Sequence, residues 1–329
     1  MAKAWHLVRR PQGMPVLEDF AFRDLPHREL ADGEVRIANR WLSVDPYMRG
    51  RMNDVKSYVP PFQLDAPMDG GAVGEVIESR AADLPVGTRV QHMAGWRDEA
   101  IVPAKGVNRI PDIDVPEQAF LGALGLTGMT AWFGLLTVAE AKPGDTVFVS
   151  AAAGAVGSVV VQIAKAKGMT VIGSAGGAEK VEWVRSLGAD QVIDYKGDVP
   201  LVKALGAAAP NGIDVYFDNV GGDHLDAALA HANQNARFAI CGMIDGYNAS
   251  QPVALRYLMR VIAARIRIQG FIVSDYLGKI AEFQQGMGEI VASGNFQREE
   301  TVVEGLDNTL DAFLGLFSGQ NRGKMLVKL

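Results

Sequence analysis

Thr146-Val-Phe-Val-Ser-Ala-Ala-Ala-Gly-Ala-Val-Gly157 is the stretch that decides the fold. A short apolar strand runs straight into Ala152-x-Gly154-x-x-Gly157. The residues that follow place Val156, Val159, Val160, Ile163 and Ala164 at helical spacing, and Gly168 supplies a stop. Each part has a physical task. Small residues at 152 and 154 let the chain turn tightly and let a pyrophosphate approach the backbone. Gly157 lets the helix pack close to the strand, and the N–H groups at the helix start receive the phosphate oxygens. Such a turn alone is also a plain strand-to-helix junction. Here strand, turn, helix and second strand occur in order, which favours the dinucleotide reading.

Working outward, apolar strands over 146–149, 170–172, 191–193, 214–217, 237–240 and 267–272 alternate with helices over 156–167, 179–187 and 225–232. This alternation predicts βαβ units and one doubly wound α/β domain. The N-terminal third differs. Short runs such as Glu-Val-Arg-Ile at 34–37 and Thr-Arg-Val-Gln-His at 88–92 are punctuated by Pro60, Pro61, Gly70, Gly71 and Gly87. They predict an all-β, barrel-type module. A helix over 306–317 and a strand over 325–327 are expected to return to that first module. The expected division is 1–125 with 300–329, and 126–299.

The end of the second strand selects the cofactor. NAD enzymes carry an acid there, about 20 residues past the turn, for the ribose 2′-OH. Position 174 is Ser, 22 residues after Ala152. A Ser hydroxyl donates to a 2′-phosphate where an Asp would repel it, and Lys180 stands near to add positive charge. NADP(H) is therefore expected over NAD(H), although Lys180 taken alone reads equally well as a solvent-facing helix lysine.

Composition narrows the chemistry. Lys plus Arg is 32 and Asp plus Glu is 38, a net charge of −6, with no dense basic stripe for nucleic acid. Arg256, Arg260, Arg265 and Arg267 read as a solvated face. The uncharged stretch 146–164 splits into strand, turn and helix, so it is not read as a membrane span. One cysteine, Cys241, allows no intrachain disulfide and no Cys-based zinc site. The N-terminus carries no apolar signal-type run, and a cytoplasmic setting is expected. His6, His27, His92, His224 and His231 form no ligand-spaced cluster, so no metal is expected; His224 and His231 read as capping or solvent-facing. No G-x-S-x-G elbow or Walker loop is present. Without a metal to polarise an alcohol oxygen, hydride delivery to an activated C=C bond is the easier chemistry.

Asp45-Pro-Tyr-Met-Arg-Gly-Arg-Met52, Gly125-Leu-Thr-Gly-Met-Thr-Ala-Trp132, the 152–157 turn, 173–180, Asp218-Asn-Val-Gly-Gly222, Cys241-Gly-Met-Ile-Asp-Gly-Tyr247 and Gly319-Gln-Asn-Arg-Gly-Lys324 together carry a resemblance. They resemble the leukotriene B4 12-hydroxydehydrogenase / prostaglandin reductase family, zinc-independent medium-chain dehydrogenases/reductases that include alkenal double-bond reductases and curcumin reductases. The resemblance implies a GroES-like N-terminal domain, a Rossmann domain, NADPH and a homodimer, with the edge near 266–272 a candidate for its interface. It implies Gly154, Ala155, Val156 and Gly157 at the pyrophosphate, Lys180 and Tyr195 near the 2′-phosphate, and Asn219 near the ribose. Cys241, Gly242, Phe271, Val273 and Asn321 would surround the nicotinamide half. Tyr247 would stand beside the substrate carbonyl as a proton or hydrogen-bond donor, with Tyr47 and Tyr58 lining the pocket.

The residues also permit plainer roles. Tyr247 also reads as an interface or core tyrosine, and Tyr47 and Tyr58 as packing. Arg49 and Arg51 read as loop-holding ion pairs. Asp69, Gly177 and Asp245 depart from the family's pattern. Two rivals remain at this point: an NADPH quinone oxidoreductase on the same fold, and a catalytically silent NADPH-binding regulator.

Overall fold

The computed structural model describes residues 1–329. The chain forms two compact units, Met1–Gly122 with Glu300–Asn321 and Met325–Leu329, and Ala123–Glu299 with Arg322–Lys324.

The first unit is built on strands β1 (Lys3–Leu7), β2 (Phe20–Asp24), β3 (Glu34–Ser43), β4 (Ala72–Ser79), β5 (Arg89–His92), β6 (Glu99–Pro103) and β7 (Asn108–Arg109). β1 and β2 form an antiparallel ribbon. β3 is the long central strand, paired antiparallel with both β4 and β6. Val35 and Ile37 on it are fully buried, as two-residue alternation requires, and Leu42 is fully buried beyond a change of phase. A register shift between Asn39 and Trp41 lets the strand change its inward set. Under the sheet lie Leu42, Met48, Trp96 and Phe313, the last from the helix Thr309–Phe317. Trp96 meets Phe313 edge-on at 5.7 Å.

The second unit carries β8 (Thr146–Val149), β9 (Thr170–Ala175), β10 (Gln191–Asp194), β11 (Ile213–Asp218), β12 (Ala232–Ile240) and β13 (Arg267–Gly270). Their order is β10-β9-β8-β11-β12-β13, with every neighbouring pair parallel. Both faces are covered. Val147, Val149, Val171, Val215 and Phe217 pack with Val160 and Ile163 of the helix Ala155–Ala166 on one side. Phe148, Ile172, Ile193, Tyr216 and Phe238 face the other side. Such double burial explains why these strands read as continuous apolar runs. β13 stops at Gly270, short of the expected 272, because Phe271 turns inward to meet Phe217 at 6.2 Å.

Two further strands, β14 (Glu300–Glu304) and β15 (Lys324–Lys328), join the first sheet in the order β14-β15-β3. β15 sets Leu326 opposite Ser43 and Lys328 opposite Trp41. The basic stretch is engaged by acids: Arg256 bonds Asp223 and Asp226, and Arg267 bonds Glu140. No helix is long and apolar enough to cross a membrane.

Candidate functional site

The glycine-rich turn leaves β8 through Ala151, which adopts a left-handed φ of 47°. The Ala152 N–H donates to the Ser174 carbonyl at 2.8 Å, tying the turn to β9. Gly154 caps the following helix, and the first-turn N–H groups of Ala155, Val156 and Gly157 have no carbonyl of the same helix within reach. A Cβ on Gly157 would lie 2.2 Å from the Ala151 carbonyl oxygen and 2.9 Å from the Ala152 Cα, so the helix sits against the turn backbone. From the C-terminal segment, the Gly323 N–H donates to the Ala153 carbonyl at 2.9 Å. The open helix start and its small residues fit a pyrophosphate.

Sheet order reverses between β8 and β11, and ligands bind outside the strand ends at such a point. Ser150 bridges the two ends. Its hydroxyl donates to Asp218 Oδ1 at 3.2 Å and accepts the Asn219 N–H at 2.8 Å; the Asn219 amide donates back to the Ser150 carbonyl at 2.8 Å. Asp218 is fully buried. Its Oδ1 also accepts from the Tyr216 hydroxyl and from the N–H groups of Val220 and Gly221, while Oδ2 is buried without a partner. Burial raises the Asp218 pKa. The Asp218 carbonyl receives the N–H groups of Cys241 and Gly242 at 2.9 and 3.0 Å, which joins the β11 and β12 loops. Burial, then the neighbouring Asp218 charge, pushes the Cys241 thiol up to about 12. Tyr247 follows the short turn Ile244–Gly246, and its hydroxyl accepts the Met243 N–H at 3.4 Å. Thus Asn219, Cys241, Gly242 and Tyr247 come together. Val273 is half-buried nearby in the chain, and the Phe271 ring is committed to the core.

At the end of β9 the structure corrects one expectation. Ser174 is fully buried and its hydroxyl lies 2.8 Å from His224 Nε2, so it faces the interior and offers nothing to a phosphate. His224 likewise is neither capping nor solvent-facing: burial lowers its pKa to about 4. Its ring meets the Tyr195 ring edge-on at 5.2 Å. Tyr195 is exposed, and its hydroxyl lies 2.8 Å from where a Cβ on Gly176 would stand. Burial lowers the Lys180 pKa, with a further contribution from the charge of Lys196. No site role was expected for Ser150, Asp218, Asp194 or Lys196. Only the strand ends bring them together, and no spacing in the chain signals that.

In the first unit, Tyr47 is largely buried and its phenol pKa is raised by burial and by Asp45. Tyr58 is 60% exposed. Asp69 lies between Arg51 at 3.4 Å and Arg97 at 3.3 Å. Arg51 also covers the Phe62 ring at 4.0 Å. Arg49 is buried and donates to the Gly13 carbonyl and to Asn53 Oδ1, both at 2.8 Å. Asn321 closes the segment Glu300–Asn321 of this unit and is half-buried. No group of three His, Cys, Asp or Glu side chains is arranged to hold a metal ion.

A parallel sheet of this order, with its glycine-rich turn at the first strand, defines a Rossmann nucleotide-binding domain, here joined to an antiparallel N-terminal domain. Residues 3–110 match the model of an N-terminal domain of oxidoreductases, and residues 155–293 match that of zinc-binding dehydrogenases. The chain is 40% identical to the NADPH-dependent curcumin reductase of Escherichia coli, over 99% of this chain and 96% of that protein. It is 39% identical to prostaglandin reductase 1 of Bos taurus, over 99% of each. The crystal structure of CurA from Vibrio vulnificus in complex with NADPH superposes with a TM-score of 0.94, at 40% identity, over 99% of this chain and 98% of that one. The chain belongs to the zinc-independent medium-chain dehydrogenase/reductase family.

Proposed function

We propose that this protein is an NADPH-dependent reductase of the C=C bond of α,β-unsaturated ketones or aldehydes, working without zinc. The observation that carries the reading is the end of β9. Lys180 and Tyr195 stand there, position 174 is Ser and not an acid, and the chain matches a curcumin reductase and a prostaglandin reductase over nearly its whole length.

NADPH, when bound, supplies a hydride. In the proposed arrangement the N–H groups of Gly154, Ala155, Val156 and Gly157 receive its pyrophosphate. Lys180 and Tyr195 take the 2′-phosphate, and Asn219, locked to Ser150, orients the ribose. Cys241, Gly242, Phe271, Val273 and Asn321 frame the nicotinamide half. Reduction at Cβ moves electrons onto the substrate carbonyl oxygen, and a hydrogen bond from the Tyr247 hydroxyl stabilises the charge developing there. The proton needed at Cα comes from Tyr247 or from water. Tyr47 and Tyr58 line the substrate side. The protein is further proposed to be cytoplasmic and homodimeric. Supporting the dimer, β13 is an edge strand exposed along its length, and Ile268 on it and Met259 and Ile262 before it in the chain are exposed apolar residues.

The test follows NADPH absorbance with a panel of trans-2-nonenal, a conjugated aryl enone, a quinone and an unconjugated alkene. Consumption with the enal or enone, and little with the alkene or with NADH, is expected. Turnover with the quinone alone would make the protein a quinone reductase. Tight NADPH binding without oxidation by any acceptor would make it a regulator.

A further inference from the structure

The loop after β9 and the turn after β10 are held together by one carboxylate. Asp194 Oδ1 accepts the Gly177 N–H at 2.9 Å and the Lys196 N–H at 3.0 Å. This staple brings Tyr195 and Lys196 over the bare face of Gly176. A Cβ there would stand 2.8 Å from the Tyr195 hydroxyl and 2.9 Å from Lys196 Cε. Glycine at 176 therefore lets the phenol and the lysine stem cradle the backbone directly, with no gap that a side chain could fill. Lys196 is exposed, and it lies near enough to Lys180 for the two charges to oppose each other. The acid next to Lys180 in the chain, Glu179, is engaged by Arg322 at 2.7 Å. Two like charges held close beside this loop suit a dianion. Position 177 is Gly with a φ of 92° and open space around it, so it donates no side-chain hydrogen bond.

We infer that Lys196 is a second cationic arm for the cofactor's 2′-phosphate, converging with Lys180 beside Gly176, and that Asp194 is the positioning residue that sets it there. The inference rests on the NADPH reading. It assigns discrimination against NADH to two lysines, one in the helix after β9 and one in the turn after β10.

The test is calorimetric titration of the full chain with 2′,5′-ADP and with 5′-AMP, which differ only in the 2′-phosphate. Lys196→Met is expected to weaken 2′,5′-ADP roughly tenfold, as for loss of one charge-assisted contact, and to flatten the salt dependence of its binding. The affinity for 5′-AMP should not change. Lys203→Met, on an exposed position of the helix Leu201–Ala208, should change neither. Asp194→Ala separates staple from charge. Removing a negative group near a phosphate would by itself strengthen binding, whereas loss of the staple weakens it, and weakening is expected. Unchanged 2′,5′-ADP affinity in Lys196→Met, or a gain in Asp194→Ala, would overturn the inference. If the unaltered protein does not prefer 2′,5′-ADP over 5′-AMP, the NADPH reading itself fails.

Discussion

Replacing Gly157 by Ala adds one methyl group at the most crowded point of the nucleotide turn. That Cβ would stand 2.2 Å from the Ala151 carbonyl oxygen and 2.9 Å from both the Ala151 carbonyl carbon and the Ala152 Cα. All three are backbone atoms, so no side chain can swing away. The helix Ala155–Ala166 would have to retreat by roughly an ångström to restore ordinary contact distances. That helix buries Val159, Val160, Ile163 and Ala164 against the sheet, so its retreat opens a core on one side while relieving a clash on the other. Overpacking of this kind costs about 1–3 kcal/mol, and the rigid partners place Gly157→Ala at the upper end. Denaturant unfolding monitored by circular dichroism, with nucleotide titration of the same sample, measures both effects. The midpoint should fall by the equivalent of about 3 kcal/mol, and NADPH affinity should drop with it because the phosphate-facing N–H groups ride on the displaced helix. Gly154→Ala, where the nearest atom is 3.1 Å away, should cost less. Gly106→Ala, with nothing within 4 Å, should cost nothing measurable. A Gly157→Ala protein with unchanged stability and unchanged NADPH affinity would refute the close-approach reading of this glycine.

Tyr247→Phe is expected to lower turnover at least about tenfold in steady-state assays with an enone, the ordinary scale for one acid–base or hydrogen-bonding group; near wild-type rates would remove Tyr247 from the chemistry. Arg322→Ala releases Glu179 beside Lys180 and should weaken NADPH binding by no more than about fivefold, since the pair is partly exposed, with the loss shrinking at high salt. His92 and His224 are both held neutral by burial, each with its pKa lowered to about 4. Between their ordinary value near 6.5 and that lowered value the unfolded chain binds protons that the folded chain does not. Stability should therefore fall as pH drops from 6.5 toward 4, by roughly 2–3 kcal/mol per histidine. Urea unfolding across that range checks this, and His224→Gln should flatten the slope. Gly288→Ala, in the middle of the helix Ile280–Ala292 with open space at its Cβ, should stabilise by about 0.5–1 kcal/mol.

The nucleotide-domain fold was legible because its signals are periodic. Runs such as Thr146–Val149 are apolar on both faces, and the helix after them repeats its buried positions at helical spacing. Ser174 shows where such reading ends. Counting 22 residues from Ala152 reached the correct strand end, but a strand alternates its faces, and at 174 the side chain points inward to His224. Lys196 and Asp194 stayed hidden for a related reason. They lie on the neighbouring strand end, and only the parallel register that sets Asp194 beside Ala175 brings them to the cofactor loop. The end of β13 was overrun because Phe271 continues the apolar pattern while its ring leaves the sheet for the core. The tyrosines of the first unit were legible as candidates only, since aromatic residues in loops carry no period.

The state of Cys241 acquires a meaning from the proposed substrates. Enals and enones are Michael acceptors, and they alkylate thiolates readily while leaving thiols almost untouched. A protein that collects such molecules endangers its own sulfur. This chain has a single cysteine, and it sits on the loop next to the proposed site of reaction. Burial and the adjacent Asp218 hold that sulfur protonated up to about pH 12, so at neutral pH the nucleophilic form is scarce. The raised pKa thereby lowers the reactivity of this sulfur toward such compounds.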